Sequence, residues 1–481
     1  MLTLSMKHHR TLAAAVALAI AAGLAAWPAR HAIRHSLGAL ARAIRNHGQA
    51  SAGPYVNISA QSPASPASRI NVTPGNGQTF YVAPTGDDTA AGTSSAPFKT
   101  LQHAADTARA GDTVRIRPGT YTAGMNIIQR DAGSQNNPIA FIAEDGVLLT
   151  HAATTGPNAD LAAINIEATS GWITLQGFHI KSDGSMQRAG IRITGSDHTQ
   201  VLDNTVDHAY IGIFASSCSD LLIENNTCEN ATDQHGIYIS RDSKHYIVRG
   251  NSLHDNNWDG LHTNAAEGSP NDDGLVENNI IFGNHLSGID VEGTTNSTFR
   301  NNIIYGNGKN GIVLHSQDQP RTPPCTGNLF VNNTIVANGM FCIELAPGGN
   351  TANTLFNNIL LSQSRTYGSI GISGAPTGLL SDYNAVSDDF STDLGRSAIP
   401  LAAWRSQSSQ DGHSLVVSAS PFIAPNDFRP GPKSILVNAG VTQLAGHTAP
   451  TLDMSGKLRP AAAIDIGALQ HPIDTPGASA R

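Results

Sequence analysis

An asparagine recurs through the middle of this chain at intervals of 22 to 31 residues, each time two residues before an apolar side chain. The asparagines are Asn204, Asn226, Asn251, Asn279, Asn302, Asn333 and Asn358, and the apolar residues are Val206, Cys228, Leu253, Ile281, Ile304, Ile335 and Leu360. A repeat of this period cannot bury its apolar face alone, so neighbouring repeats must stack. The sequence therefore predicts a solenoid in which the asparagine amides form one internal ladder.

A second pattern occurs once in each repeat and predicts its strands. It reads AGIRIT, IGIFAS, HGIYIS, DGLHTN, SGIDVE, NGIVLH and FCIELA. The apolar period is two, and the segments are too short and too often interrupted by glycine for helices. A β-sandwich of hairpins would require Asn-Gly turns between antiparallel pairs, and it does not account for one asparagine column at constant phase. The predicted fold class is all-β, a solenoid of parallel strands.

Alternation along these strands predicts which side chains face outward. The first outward column reads Arg192, Phe214, Tyr238, His262, Asp290, Val313 and Glu344, and the second reads Thr194, Ser216, Ser240, Asn264, Glu292, His315 and Ala346. Neighbours in a column are about 4.8 Å apart, which is one strand spacing. We therefore expect His262 beside Asp290, and His315 beside Glu292. As outward carboxylates, the two acids are expected to contribute little to folding stability.

The two longest repeat intervals come from insertions at residues 265–274 and 316–327, one coil before and one coil after the strand of Asp290. Long loops that rise beside a flat sheet usually serve function. Candidate catalytic residues are Asp290, Glu292, His262, His315 and Tyr238, and candidate substrate contacts are Asn264, Arg241, Asp259, His235, Lys244 and Glu344. The alternative interpretation is a polar sheet decorated with solvated acids and histidines.

The N-terminus has the layout of an export signal. Basic residues 7–10 precede an apolar run over residues 11–27, and further basic residues follow it, so residues 1–29 are interpreted as a signal peptide or an uncleaved membrane anchor. Residues 30–78, rich in Ser, Pro, Gly and Asn towards their end, are interpreted as a linker. We expect a secreted or periplasmic protein, or one held at the membrane only by this segment.

Charge and cysteine content limit the partners and cofactors. The net charge is −8 and no basic run interleaves with aromatic residues, which argues against nucleic acid as a partner. An anionic polymer would be repelled unless a local basic patch or a cation compensated. Four cysteines without a CxxC allow three disulfide pairings and disfavour a cysteine metal site. Cys228 falls on a core column and is expected to be buried, and the chain is expected to be a monomer.

Residues 81–121, YVAPTGDDTAAGTSSAPFKTLQHAADTARAGDTVRIRPGTY, resemble the first segment of secreted right-handed parallel β-helix proteins of the pectate lyase-like superfamily. Residues 428–440, with DMSGKLRP and AIDIGALQ, are similar to the last coils of that superfamily. The resemblance implies a right-handed parallel β-helix over residues 79–471, with a short capping helix over 100–109. Its expected parts are an N-terminal cap (79–125), main coils (165–385), C-terminal coils and cap (386–471) and a tail (472–481).

The resemblance implies a polysaccharide as the partner and chain cleavage as the leading activity. Hydrolysis with inversion suits carboxyl groups about 6.5–9.5 Å apart, and Asp290 and Glu292 at i and i+2 approach that range. Like-charge coupling would protonate one acid, and the other would activate water. The competing reaction is β-elimination on a uronic acid polymer, which needs a base and a positive charge on the carboxylate. A C5-epimerase and a non-catalytic glycan-binding solenoid remain further alternatives.

Ca²⁺ is a possible cofactor, because residues 255–262, DNNWDGLH, resemble a degraded form of the acidic calcium motif of some β-helix pectate lyases. Trp258 and His262 replace acids of that motif, and the expected base lysine aligns with Asp290. Tyr238 and His262 would then transfer protons. Arg241, Lys244 and Lys309 would contribute charge, and the weak calcium-ligand candidates are Asp259, Asp272 and Asp273. The SPNDDG loop also has an ordinary turn composition.

Overall fold

The described part of the chain winds into coils that form three parallel sheets, because each coil contributes one short strand to each sheet. The computed structural model describes residues 75–128, 132–156, 158–167, 171–316, 322–374 and 376–472. The predicted leader (1–29), most of the linker and most of the tail lie outside the described residues. Within the described ranges, no helix is long and apolar enough to cross a membrane.

Each coil passes through the sheets in the order sheet 1, sheet 3, sheet 2. Sheet 1 contains Thr79–Val82, Thr113–Ile116, Ile139–Ala143, Ile173–Gln176, Gln200–Leu202, Leu222–Glu224, Ile247–Arg249, Leu275–Glu277, Thr298–Arg300, Leu329–Val331, Thr354–Phe356 and Leu380–Asp382. Sheet 2 contains Met125–Ile127, Ala162–Glu167, Ala189–Thr194, Ile213–Ser216, Ile237–Ser240, Leu261–Asn264, Ile289–Glu292, Ile312–His315, Phe341–Leu345 and Gly368–Ile372. Sheet 3 contains Gly119–Tyr121, Val147–Leu149, His179–Lys181, Thr205–Asp207, Thr227–Glu229, Ser252–His254, Ile280–Phe282, Ile303–Tyr305, Thr334–Val336, Ile359–Leu361, Ala385–Val386 and Leu415–Val416.

Two short helices accompany the sheets. Helix α1, Leu101–Thr107, is the predicted capping helix with slightly shorter bounds, and the Thr100 hydroxyl accepts a hydrogen bond from the His103 amide at its start. Its apolar face packs against the first coils. Helix α2, Leu401–Ser408, follows the last strand of sheet 1 and was not predicted. Its Trp404 is fully buried and donates a hydrogen bond to Asp411.

The C-terminal segment differs from the predicted extra coils. After Val416 none of the described residues joins the three long sheets. Instead the chain forms two antiparallel pairs, Phe422–Ala424 with Asp427–Pro430 and Gln443–Leu444 with His447–Thr448. It then lies along the middle coils, where the buried Arg459 donates a hydrogen bond to Asn301. A further parallel pair, Asn271–Asp272 with Thr294–Thr295, lies in the turns between sheets 2 and 1.

The predicted asparagine ladder is confirmed. Each amide nitrogen donates to the side-chain oxygen of the next asparagine at 2.9–3.1 Å, through all seven residues from Asn204 to Asn358. The ladder continues to Asn384, which was not predicted. A second ladder of Asn256, Asn284, Asn307 and Asn338 runs beside sheet 3. These contacts satisfy buried backbone groups at the turns, where the strands cannot.

Asn279→Ala is expected to lower the free energy of unfolding by about 1–3 kcal/mol, because it leaves buried partners without hydrogen bonds. Asn279 donates to Val248 and Asn302 and accepts from Asn251, all inside the solenoid. Urea unfolding followed by circular dichroism measures the change. Asn136→Ala, at an exposed turn, is the control. Equal stability of the two variants would show that the ladder does not stabilise the fold.

All four cysteines are free and buried, so none of the three possible pairings forms. Cys228 is fully buried among core side chains, as the repeat predicts. Burial raises the pKa of Cys218 to about 11 and that of Cys325 to about 12. The thiols therefore stay protonated and act as small apolar core residues.

Candidate active site

Sheet 2 has the register that the repeat predicts. In the first column, Tyr238 pairs with His262, His262 with Asp290, Asp290 with Val313, and Val313 with Glu344. The second column pairs in the same way, from Ser240 through Asn264 and Glu292 to His315. The outer face of sheet 2 thus brings all five candidate catalytic side chains together on four adjacent coils.

Two histidines flank the carboxylate of Asp290. His315 Nε2 lies 2.5 Å from Asp290 Oδ1, and His262 Nδ1 lies 3.7 Å from the same oxygen. His262 Nδ1 also lies 3.2 Å from the backbone oxygen of Asp290. The rings of Tyr238 and His262 are in contact, with centroids 4.8 Å apart. These contacts join His262, Asp290 and His315 into one cluster, called here the His–Asp–His cluster.

The cluster is far less solvated than outward-facing strand positions suggest. The His262 residue is 7% exposed, and the Asp290 side chain is 19% exposed. Glu292, also buried, accepts a hydrogen bond from Asn264 Nδ2 at 2.8 Å. The interpretation of solvated surface acids is therefore wrong. The premise that these carboxylates make little contact is wrong for the same reason, and we now expect their loss to lower stability.

Charge states within the cluster follow from these contacts. Burial raises the pKa of Asp290, but His262 and His315 outweigh it and hold that pKa well below its ordinary value. Burial lowers the pKa of both histidines, and the Asp290 carboxylate outweighs it and raises each above its ordinary value. Burial raises the pKa of Tyr238, so its phenol stays protonated. The cluster therefore contains an ionised acid and two histidines that release protons only at elevated pH.

A second histidine–aspartate pair lies behind the first. His235 Nδ1 lies 3.1 Å from Asp259 Oδ2, and both side chains are 3% exposed. Asp259 also accepts a hydrogen bond from the Ser287 amide, and the His235 ring stacks on His262 with centroids 4.6 Å apart. Burial lowers the pKa of His235. Such burial leaves His235 and Asp259 no surface for direct substrate contact, which corrects that expectation, and they instead support the ring of His262.

Glu344 lies two strands beyond Asp290 in the same column. Its carboxyl accepts a hydrogen bond from Asn310 Nδ2 at 2.8 Å. Burial raises the pKa of Glu344 above its ordinary value. Glu344 can therefore hold a proton to donate, and its contact with substrate stays a prediction.

A cleft of about 660 Å³ adjoins the cluster on the side of the earlier coils. Its lining includes Arg188, Arg192, Phe214, Tyr238, Arg241 and Asn264, and the first insertion forms one wall through Ala265, Ala266 and Glu267. Tyr238 lines the cleft and also contacts His262, so cleft and cluster are continuous. Arg188 and Arg192 were not among the predicted site residues. Arg192 stands in the first outward column, and that position was the signal available in the sequence.

Lys244, Asp272 and Asp273 lie elsewhere. The backbone of Lys244 forms isolated β-bridges with Ser219 and Asp272 at the turns between sheets 2 and 1, and Lys244 does not line the cleft. The Asp272 carboxylate accepts hydrogen bonds from Thr295 and Asn296. Asp273 is 69% exposed and faces His245. These placements correct the expectation that Lys244 contacts substrate beside the catalytic residues.

The acidic side chains do not fit a calcium site. The oxygens of Asp259 are occupied by the Ser287 amide and His235, and Asp259 is separated from the turns that carry Asp272 and Asp273. Across the described ranges, no group of three or more His, Cys, Asp or Glu side chains is placed to hold a metal ion. Calcium in proteins takes six to eight oxygen ligands, several of them carboxylate. The acids predicted to bind Ca²⁺ therefore do not form a coordination shell for it.

Comparison with known proteins agrees with this architecture. The family description "Pel9A-like, right handed beta helix region" matches residues 80–268, and "Right handed beta helix region" matches residues 189–360. The crystal structure of pectate lyase Pel9A superposes with a TM-score of 0.54 at 17% identity, over 83% of this chain and 97% of that one. The chain has the right-handed parallel β-helix fold, and it is similar to the Pel9A-like family over residues 80–268.

Two curated proteins are similar to this chain over part of its length. The uncharacterized protein YwoF of Bacillus subtilis is 28% identical over 225 residues, which cover 42% of this chain and 47% of YwoF. Pectate lyase PEL9 of Emericella nidulans is 27% identical over 209 residues, which cover 43% of this chain and 46% of that enzyme. The match thus spans about half the length of each relative.

Proposed function

We propose that this protein cleaves a uronic acid polysaccharide by β-elimination on the outer face of sheet 2. The main support for this proposal is that Tyr238 lines the arginine-containing cleft and also contacts His262, so that it joins the cleft to the His–Asp–His cluster. The cluster would transfer the protons and the cleft would supply the positive charge, and β-elimination requires both. The similarity to pectate lyases supports the substrate class. We also propose export from the cytoplasm, on the basis of the N-terminal sequence pattern.

The proposed step balances without an added reactant. Neutral His262 removes the proton from C5 of the uronic acid, and that electron pair forms the C4–C5 double bond. The bond from C4 to the glycosidic oxygen breaks, and the phenol of Tyr238 donates its proton to the leaving oxygen. The products are two shorter chains, one with an unsaturated end. His262 then returns its proton to the Tyr238 phenolate, with Asp290 and His315 fixing its ring.

Activity is expected to rise with pH. The base form of His262 is neutral, and Asp290 raises the pKa of this histidine, so kcat/KM should increase through a midpoint above the ordinary histidine value of about 6.5. The increase in kcat/KM should end at the pH where Tyr238 ionises and can no longer donate its proton. Burial moves this pH upward, because it raises the pKa of the phenol. Initial rates between acidic and alkaline pH measure the profile. A rate that falls steadily from mildly acidic pH upward would contradict a neutral histidine base.

Hydrolysis is the second candidate, and Glu344 favours it. A carboxyl with a raised pKa can donate a proton to the leaving oxygen, and ionised Asp290 can activate water. The two lie two strands apart, about 9.6 Å between backbones, near the separation used for inversion. In the predicted pair of Asp290 and Glu292, the lowered pKa of Asp290 also makes it the base, and Glu292 would have to supply the proton.

The deciding experiment is a panel of acidic and neutral polysaccharides with two separate measurements. Ultraviolet absorbance detects the unsaturated ends of elimination, and a reducing-end assay detects any cleavage. We expect both signals on an acidic polymer. Reducing ends without absorbance would establish hydrolysis, and isotope exchange at C5 without cleavage would establish an epimerase. Binding without any reaction would contradict catalysis and support a glycan-binding solenoid.

A further inference from the structure

Three arginines face the cleft beside the cluster with little neutralisation. Arg188 places its guanidinium 4.2 Å from the ring centroid of Phe214, and among the described residues it forms no ion pair. Arg241 follows the strand of Tyr238, is exposed and likewise has no ion-pair partner there. Arg192 pairs with Glu167 at 3.3 Å through one nitrogen only. The cleft therefore has an excess of positive charge in a protein whose net charge is −8.

Unused hydrogen-bonding groups lie at the same place. Arg192 Nη1 and Thr194 Oγ1 are buried, and neither has a hydrogen-bond partner among the described residues. Both residues line the cleft. Burial lowers the pKa of the Arg188 guanidinium, and its neighbours Arg192 and Arg241 lower it further. Clustered cations and unpaired buried donors are costly unless an anion binds among them.

We propose that Arg188, Arg192 and Arg241 bind the carboxylate of an acidic sugar residue and neutralise it in place of a divalent cation. This inference rests on the proposed function, because it assigns the charge that β-elimination requires. A planar guanidinium binds a carboxylate through two parallel hydrogen bonds, which also fixes the orientation of the sugar. Within the part of the chain that the structure describes, the acidic side chains do not form a calcium site, and the arginines of the cleft are the proposed source of positive charge.

The aromatic side chains of the cleft identify the anion as part of a sugar. Phe214 and Tyr238 line it beside the arginines, with ring centroids 5.4 Å apart. The Phe214 ring lies under the Arg188 guanidinium, but the partly buried Tyr238 ring offers apolar surface to the carbon-bound hydrogens of a sugar, from which a free inorganic anion would gain nothing. Tyr238 is one strand from His262, so a sugar held by the arginines has its neighbouring atoms at the cluster. Glu267, in the wall formed by the first insertion, is a negative charge that lines the cleft, and it forms no ion pair with the three arginines in the described structure.

Binding to a catalytically impaired full-length chain tests this inference apart from the chemistry. Calorimetry on the His262→Gln chain would compare oligogalacturonates and oligoalginates with the same oligosaccharides reduced to neutral alcohols, in a chelator and again with added Ca²⁺. We expect binding of an acidic oligosaccharide in the chelator, no binding of its neutral form, and little effect of Ca²⁺. Arg188→Gln, Arg192→Gln and Arg241→Gln should each weaken binding about 10- to 100-fold.

Arg396→Gln, which removes an exposed arginine outside the cleft, is the matched control and should bind like its parent. Arg192→Lys keeps the charge but loses the paired hydrogen bonds, and it should weaken binding less than Arg192→Gln. Circular dichroism confirms that each variant is folded. Equal binding of neutral oligosaccharides, a strict need for Ca²⁺, or unchanged binding in the folded arginine variants would overturn the inference. Arginine-dependent binding without cleavage by the wild type would leave it standing and reject the proposed function.

Discussion

Asp290→Asn is expected to lower kcat about 10²–10⁴-fold, because the variant loses the carboxylate that holds both histidines of the cluster. Its residual activity should rise with pH at a lower midpoint than that of the wild type, since the anion that raises the pKa of His262 is gone. We also expect a loss of about 1–3 kcal/mol of stability, because the carboxylate is a buried hydrogen-bond partner. Initial rates across pH, with urea unfolding in parallel, measure all three effects.

The chain supplies a matched control in Asp220. This carboxylate also lies between two histidines, 3.7 Å from His198 and 3.6 Å from His245, but at an exposed turn outside the cleft. Asp220→Asn should keep full activity and an unchanged pH profile. Equal losses in the two variants would mean that an aspartate between histidines matters for folding alone.

His262→Gln should lower kcat by a similar factor of about 10²–10⁴, because it removes the base while glutamine keeps much of the ring's volume. The residual rate should no longer show the increase with pH that arises when His262 loses its proton. His315→Gln should lose less, since an amide can still donate a hydrogen bond to Asp290. Initial rates and pH profiles of the two variants measure the difference.

His245→Gln, an exposed histidine near Asp220 and Asp273, is the control for the loss of an imidazole. It should behave like the wild type. A folded His262→Gln enzyme with normal kcat and an unshifted profile would show that another group takes the C5 proton. A loss confined to His315→Gln would move the base to the far side of Asp290.

The solenoid was predictable because its repeat leaves periodic marks that a single chain shows. One asparagine and one core residue per coil fix the phase of every strand, and the register of Asp290 follows from that phase. Helix α2 and the course of residues 417–472 along the coils leave no such periodic mark. They depend on single long-range contacts such as the hydrogen bond from Arg459 to Asn301.

The site was predictable as a set of outward columns, but its burial and charge were not. Alternation assigns Asp290 and His262 to the outer face, yet it does not show that neighbouring side chains cover them. It also does not separate His235 and Asp259, which lie behind the face, from residues that reach it. Arg188 precedes its strand, so no column includes it, and only the folded cleft brings it beside Arg241.

The central claim is that the chemistry takes place on the outer face of sheet 2, around Asp290. The most direct test is the initial rate of the double variant Asp290→Asn, Glu292→Gln beside the wild type, on a polymer that the wild type cleaves. We expect the double variant to have a rate at least about 10²-fold lower than that of the wild type, while circular dichroism shows that it is folded. Full activity of the folded double variant would contradict the claim and place the site on another face of the solenoid.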